Sequence, residues 1–350
     1  DYGIKNLCLA GGVALNCVAN GRILKEKIFD NIWIQPAAGD AGGSLGAALA
    51  FWYNELGNKR SISKEADEMQ GSYLGPSFKD DQIEKTLKSL DAKYKKYSED
   101  NLIDIIAEKI KNEKTIGWFQ GRMEFGPRAL GARSILGDPR SDKMQKNLNL
   151  KVKYRESFRP FAPSILREDL SEWFDVNVNS PYMLLVANIN PNKKIEMTNE
   201  QKKLFGIDKL NIKRSEIPAV THVDYSARVQ TVTKNTNNRY YDLIFKFKEK
   251  TGDNLYRAVV EEFDFETLII SRHWYIFDSN SRHIIVFNNH STHIRGRGKG
   301  VDRRIDRIGT GDVVDEDRVG LVVIITVRII ISYSLIIMII DCSYSYSLSI

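Results

Sequence analysis

One short stretch of the chain interleaves arginine with glycine, GRMEFGPRALGARSILGDPR at positions 121–140. Glycine lets the backbone turn tightly and approach a ligand closely. Guanidinium groups are planar forks that match phosphate or carboxylate. The arginines are Arg122, Arg128, Arg133 and Arg140. The spacing favours binding of a polyanionic small molecule, either a nucleotide or an acyl phosphate. A solvated basic loop whose arginines pair with Glu124, Asp138 and Asp142 would explain the same residues.

A second cationic motif, Lys153-Tyr154-Arg155, follows soon after and leads into FRPFAP at 158–163. On an extended strand, alternate side chains point to one face. We therefore expect Lys153 and Arg155 to lie together, where they could clamp two phosphate groups. A basic strand edge that discourages aggregation is the competing interpretation.

Two glycine-rich turns near the start of the chain are further candidates. Gly11 and Gly12 stand between a predicted strand and a predicted helix, where backbone N–H groups favour phosphate. Asn16 could hydrogen-bond a sugar or a carbonyl, although a simple tight turn explains the glycines equally well. Asp40, in GDAGG at 39–43, could approach a metal ion or a ribose without steric cost. It could equally cap the following helix.

The elements that would position these residues follow from apolar periodicity. In the first part, a strand followed by a turn and a helix is predicted twice. The strands are at 7–10 and 31–35, and the helices are at 13–27 and 44–53. This alternation predicts an α/β fold, and 57–70 reads as a linker. The second part, α+β in type, has predicted helices at 80–89, 101–111, 143–152 and 240–251, and predicted strands at 115–119, 183–187 and 226–232.

Composition narrows the class of protein. The 350 residues carry a net charge of +6 and a pI of about 9.0, an excess too modest to predict nucleic-acid binding. The cysteines form no CxxC pair, so we expect a cytoplasmic protein with buried free thiols at Cys8 and Cys17. His222 and Asp224 lie in a THVD run, where a lone histidine is more often structural than catalytic.

The last hundred residues differ in character. Gly320–Ile340 is almost wholly aliphatic and long enough for a membrane helix, but Arg328 is costly in a bilayer and dense β-branching suits strands. We therefore favour a tail outside the membrane, with a membrane-anchored protein as the alternative. The segment 253–350 is predicted to be disordered or non-native in origin.

Five ordered motifs give the chain a family resemblance over about residues 1–252. They are LAGGVALNCVANGRI, PAAGDAGGSLGAA, GRMEFGPRALGARSIL, KYRESFRPFAPSIL and THVDYSARVQTV. The chain resembles the carbamoyltransferases of the nodulation-factor and antibiotic O-carbamoyltransferase type.

The resemblance implies two domains. Residues 1–56 would be the C-terminal half of an actin/hexokinase-like ATPase-fold domain. Residues 71–252 would be a threonylcarbamoyl-AMP-synthase-like domain. The second would make carbamoyl-adenylate from ATP and carbamoyl phosphate. The first would transfer the carbamoyl group to a hydroxyl of a small-molecule acceptor, with an iron-type divalent metal at its site.

The resemblance also assigns roles to individual residues. Gly11, Gly12 and Asn16 match the nucleotide loop of the first domain, and Asp40 matches its metal-binding aspartate. Lys153 and Arg155 match a Lys-x-Arg pair of the second domain, and Arg128 lies in its arginine-glycine loop. These are the nucleotide- and carbamoyl-phosphate-binding residues that the resemblance predicts.

Three departures from the family pattern bear on activity. The His-x-x-x-His ligands of the first domain do not occur in this sequence, and Asp40 alone cannot hold a catalytic metal, which usually has three protein ligands. An Asn-Thr-Ser-Phe-Asn motif is missing after Gly252, and Tyr225 replaces a usual glycine. The departures leave open an inactive nucleotide- or carbamoyl-phosphate-binding remnant. A basic RNA-binding module or a membrane-anchored protein would also fit the sequence, and a homo-oligomer is compatible with it.

Overall fold

The computed structural model describes residues 3–61 and 67–251 with their side chains, and the backbone of strands at 258–262, 323–332 and 335–344. Contacts divide the chain into two units, of which one comprises residues 1–264 with 327–340. All of the described side chains belong to that unit. The sequence pattern predicted mixed α/β structure, and the described elements confirm it.

The helices and strands are numbered in chain order. The α-helices are α1 Cys17–Lys25, α2 Ala41–Ala50, α3 Asp80–Ser89, α4 Glu99–Lys111, α5 Met144–Lys151, α6 Leu170–Trp173, α7 Asn199–Lys202, α8 Gly206–Leu210 and α9 Asn238–Thr251. The strands are β1 Asn6–Leu9, β2 Asn31–Ile34, β3 Tyr94–Lys96, β4 Thr115–Gln120, β5 Arg133–Leu136, β6 Ala162–Leu166, β7 Leu185–Asn188, β8 Ser226–Val232, β9 Ala258–Glu262, β10 Val323–Ser332 and β11 Leu335–Tyr344.

The first elements form a small parallel β–α–β arrangement. β1 pairs with β2 in parallel, with Leu7 opposite Ile32, and α1 makes the crossover that parallel strands require. The predicted helix from 13 to 27 is divided. A short 3-10 turn occupies Gly12–Leu15, and α1 begins only after Asn16, whose side chain accepts a hydrogen bond from the Ala19 N–H at 3.1 Å.

The remaining strands form a nine-stranded sheet in the order β3-β10-β11-β4-β5-β9-β6-β8-β7. β4 and β5 are antiparallel neighbours, with Ile116 opposite Leu136. The first part of the arginine-glycine segment, 121–132, therefore connects the two central strands β4 and β5, while Arg133 begins β5 and Arg140 follows it. Parallel pairing of β6 with β8 and antiparallel pairing of β7 with β8 complete that side of the sheet.

The segment 253–350 contributes three strands to this sheet. β9 pairs with both β5 and β6, and β11 pairs with β4 in antiparallel register. The aliphatic Gly320–Ile340 run thus lies largely in β10 and β11. Among the residues that the structure describes, no helix is long and apolar enough to cross a membrane. The rest of the prediction for 253–350 falls on residues outside the described ones.

Apolar side chains cover both faces of the central strands. On one face α4 packs against α9, and Ile106 and Trp118 are fully buried there. On the other face Ile165 and Trp173 belong to a second buried cluster. Apolar residues in α4 recur at the three- and four-residue spacing of an amphipathic helix. This two-sided burial explains why β5 and β6 are buried along their whole length.

Candidate phosphate-binding site

A buried carboxylate shapes the arginine-glycine loop. Oε1 of Glu124 accepts hydrogen bonds from the backbone N–H groups of Leu130 at 2.6 Å, Ala132 at 2.8 Å and Arg133 at 3.3 Å. Burial raises the pKa of Glu124, and these backbone donors oppose that shift. The buried carboxylate of Glu124 therefore links the first part of the loop to its last residues by hydrogen bonds.

Three of the four arginines serve this local structure. Arg133 is buried, its guanidinium lies 3.5 Å from the centre of the Phe119 ring, and burial lowers its pKa to about 10. Arg122 donates to the Leu74 and Gly75 carbonyls. Arg140 pairs with Asp138 at 2.5 Å. Of the three, Arg140 has the acidic partner that the basic-loop interpretation expected. The polyanion interpretation is too broad, because all three arginines have partners within the local structure.

Arg128, unlike the exposed Arg122, is half-buried in the loop. Its Nη2 lies 3.8 Å from Sγ of Cys17, at the start of α1. Its Nε is buried and has no hydrogen-bond partner among the described residues. A guanidinium with an unsatisfied buried donor is costly unless a ligand or water supplies an acceptor.

The same loop also contacts the turn that precedes Asp40. Gly126 has φ +131°, and a Cβ there would lie 3.3 Å from the Pro36 carbonyl oxygen. Arg128 and Gly126 thus bring the loop against the start of α1 and against the turn that leads to Asp40. The structure places the predicted arginine loop, the start of α1 and the Asp40 turn side by side.

The first glycine turn keeps open space around its backbone, whereas in the second a Cβ on Gly42 would lie 2.0 Å from the Ala37 carbonyl oxygen. Gly11 has φ +90°, and a Cβ on Gly11 or Gly12 would meet no described atom within 4 Å. Asn16 is exposed and uses its side-chain oxygen to cap α1. Its predicted contact with a sugar or carbonyl stays a prediction.

Asp40 stands at the N-cap position of α2, but its side chain makes no capping hydrogen bond. It is exposed. Within residues 3–61 and 67–251, no group of three or more His, Cys, Asp or Glu side chains could hold a metal ion. The described residues therefore do not by themselves form the implied metal site. Asp40 stays a predicted ligand, and no chemical step below is routed through a metal.

Lys153 and Arg155 do not lie on an extended strand, so the expected clamp geometry is wrong. They occupy the loop after α5, and Tyr154 between them has φ +49°. This left-handed residue breaks the alternation that would place both cations on one face. Arg155 instead donates from Nε to Oδ1 of Asn149 at 2.6 Å.

Asn149 holds the loop that carries Lys153 and Arg155, here called the cationic loop. The sequence pattern does not indicate this role. Asn149 is fully buried, and its Nδ2 donates to the carbonyls of Ser157 at 3.1 Å and Arg159 at 2.8 Å. A single amide thus fixes both the guanidinium of Arg155 and the backbone beyond it. A lone asparagine near a helix end gives no signal for such a role.

The THVD run forms a tight turn before β8. Nδ1 of His222 lies 3.1 Å from Oγ of Ser226, and that hydroxyl donates to Asp224 at 2.6 Å. Burial, the largest influence, lowers the pKa of His222. Tyr225 has φ +64°, a conformation that favours glycine. The local bonding fits the structural role predicted for His222.

The thiols differ from expectation at one position. Cys17 is buried as predicted, whereas Cys8 is exposed. Exposed and half-buried residues alternate along β1, and Cys8 falls at an exposed position.

Family models match two stretches of the chain. Residues 1–49 match the carbamoyltransferase N-terminus model, and residues 107–257 match the carbamoyltransferase C-terminus model. The chain belongs to the carbamoyltransferase family. The N-terminal match contains Gly11, Gly12 and Asp40, and the C-terminal match contains Arg128 and the Lys153 loop.

Individual proteins are also similar to this chain over most of its length. The chain is 57% identical over 253 residues to an uncharacterized protein of Synechocystis, covering 72% of this chain and 41% of that protein. It is 42% identical over 254 residues to nodulation protein NolNO of Sinorhizobium fredii, covering 71% and 34%. It is 41% identical to nodulation protein NolO of Bradyrhizobium diazoefficiens, covering 71% and 42%. The chain thus spans about two fifths of the length of these curated relatives.

Proposed function

We propose that this carbamoyltransferase chain takes part in O-carbamoylation, with ATP and carbamoyl phosphate as substrates. Carbamoyl-adenylate would form first, and the carbamoyl group would then pass to a hydroxyl of a small-molecule acceptor. In this proposal residues 1–56 belong to an actin/hexokinase-like ATPase fold, 57–70 is a linker and 71–252 is the synthase-like domain. A cytoplasmic location is part of the same proposal.

The observation that carries the proposal is the position of Arg128. Adenylate formation displaces pyrophosphate from the α-phosphorus of ATP, so negative charge builds on phosphate oxygens. A fixed cation aimed at that charge stabilises the transition state, most strongly where water is excluded. Arg128 is charged, half-buried and has an Nε without a partner among the described residues.

Lys153 and Arg155 would supply the second cationic contact. Asn149 holds Arg155 in one place through the 2.6 Å bond between Nε and Oδ1. A guanidinium that is already oriented loses less side-chain entropy when it binds phosphate. This loop would therefore orient the phosphates of ATP or carbamoyl phosphate.

The test is release of pyrophosphate from ATP by the full chain, with and without carbamoyl phosphate. The proposal predicts release that depends on carbamoyl phosphate. Binding of ATP without release would support the binding remnant instead. A salt-sensitive gel shift with unrelated RNA, in the absence of release, would favour an RNA-binding module.

A further inference from the structure

Two neighbouring grooves lie in the same part of the chain, and one of them is lined in part by residues that closely follow Arg155. One, of about 350 Å³, includes Phe158, Pro160 and His222 among its lining residues. The other, of about 310 Å³, includes Phe205 and Lys209. They share Leu210, Arg214 and Val223. The shared residues place the two grooves side by side, and the pair is called the trough below.

Arg214 forms the wall between the two grooves. It is 5% exposed, and it donates from Nη1 to the Leu210 carbonyl at 3.2 Å and from Nη2 to the Lys209 carbonyl. Its Nε is buried without a partner among the described residues. Burial lowers the pKa of Arg214. Among the described residues, the group that raises this pKa is the Tyr225 phenol and not a carboxylate. Within the described part of the chain, Arg214 is thus a buried cation that lacks a counter-ion, which is unfavourable.

The rest of the trough adds apolar walls and a few polar groups. Val223 is 56% exposed, Phe158 39% and Phe205 93%, so large apolar surface faces solvent there. Nδ1 of His222 is engaged by Ser226, whose hydroxyl donates to Asp224, so the neutral ring keeps Nε2 as a hydrogen-bond acceptor. Asp224 lies at the same end, with Oδ1 already bonded to Ser226. Apolar walls with few convergent polar groups are typical of small-molecule sites.

We propose that this trough binds a small molecule with an apolar body and one anionic group, phosphate or carboxylate, and that Arg214 is the counter-ion of that group. The apolar body would lie against Phe158, Leu210 and Val223. The anion would accept a hydrogen bond from the Nε of Arg214, which lacks a partner among the described residues. This inference does not depend on the proposed carbamoyl transfer.

The test is equilibrium binding of phenyl phosphate to the full chain by titration calorimetry, with benzyl alcohol as the uncharged comparison. We expect phenyl phosphate to bind at least about tenfold more tightly than benzyl alcohol, because a charged hydrogen bond contributes about that factor or more. Arg214→Gln should remove this preference. Val223→Asp, on the exposed rim, should weaken binding about threefold to tenfold, and Val223→Lys should strengthen it.

Two controls locate the site. Val18→Asp introduces the same charge on α1, at a residue 65% exposed, and should leave binding unchanged. Arg22→Gln, which removes an exposed arginine paired with Glu26, should also leave it unchanged. Equal affinity for benzyl alcohol, absence of binding, or an equal response to Arg22→Gln and Arg214→Gln would each overturn the proposal. If Arg214→Gln does not fold, the opposite shifts expected for the two Val223 variants decide the question.

Discussion

Nη2 of Arg128 lies 3.8 Å from Sγ of Cys17, which is 111 residues earlier in the chain. The contact joins the arginine-glycine loop to the first turn of α1. It places the arginine whose Nε lacks a described partner beside the first residue of α1, a few positions after the Gly11–Gly12 turn. The two parts of the chain that match separate carbamoyltransferase models therefore meet at this guanidinium.

Glu124 should be the main determinant of loop stability. Glu124→Ala leaves the N–H donors of Leu130, Ala132 and Arg133 without their acceptor. We expect a loss of about 3 kcal/mol in the free energy of unfolding, measured by urea denaturation. Glu124→Gln keeps an oxygen in place and should cost about 1 kcal/mol.

The matched control for Glu124 is Glu26→Gln. Glu26 forms an exposed pair with Arg22, and such pairs contribute under about 1 kcal/mol. Equal losses of unfolding free energy for Glu124→Ala and Glu26→Gln would contradict the role of Glu124 in holding the loop together.

Gly131 is required for packing rather than for ligand approach. It has φ +102°, and a Cβ there would lie 2.3 Å from Cδ1 of Tyr240. Gly131→Ala should lower the free energy of unfolding by about 2–4 kcal/mol. Gly46→Ala, where a Cβ meets no described atom within 4 Å, should stabilise α2 by up to about 1 kcal/mol. Thermal melts of the two variants that shift in the same direction would show this interpretation to be wrong.

Asn149 should be needed to order the cationic loop. Asn149→Asp removes the two donors to the Ser157 and Arg159 carbonyls and places a charge against them. We expect a loss of about 2 kcal/mol in unfolding free energy. We also expect faster proteolysis within 153–161. Asn147→Asp, on the same helix, is the control, and similar proteolysis of both variants would count against the assignment.

His222 should make stability depend on pH. Burial lowers its pKa from the usual 6.5, so the unfolded chain takes up a proton at this site at a higher pH than the folded chain does. Stability from this group is therefore present above about pH 6.5 and is lost as the pH falls below it. Between about pH 7.5 and pH 5.5 the urea midpoint of the parent chain should fall more than that of His222→Gln. Parallel pH profiles would refute the assignment.

Local sequence patterns predict much of the secondary structure. The predicted bounds of α3 and β8 coincide with the observed ones, because each has a regular apolar period that tertiary packing preserves. The predicted helix at 13–27 is divided because Asn16 caps α1 at its own position. Apolar periodicity alone does not distinguish a capping residue from one inside the helix.

The candidate site is less predictable. Sequence spacing cannot distinguish Arg128 from Arg133, since only packing shows that Arg133 lies buried over Phe119. The Lys153 loop is predicted as a strand because alternation alone does not reveal the role of the buried Asn149. Side-chain partners decide such positions, and they depend on the assembled fold.

Equilibrium binding of ATP to the full chain and to Arg128→Gln tests the central claim most directly. Arg22→Gln, which removes an exposed arginine paired with Glu26, is the control. We predict that Arg128→Gln weakens binding about tenfold or more, because a charged hydrogen bond to phosphate is lost, while Arg22→Gln stays within about twofold of the parent. Unchanged affinity in Arg128→Gln, or equal weakening in both variants, would contradict the assignment of this loop to phosphate binding.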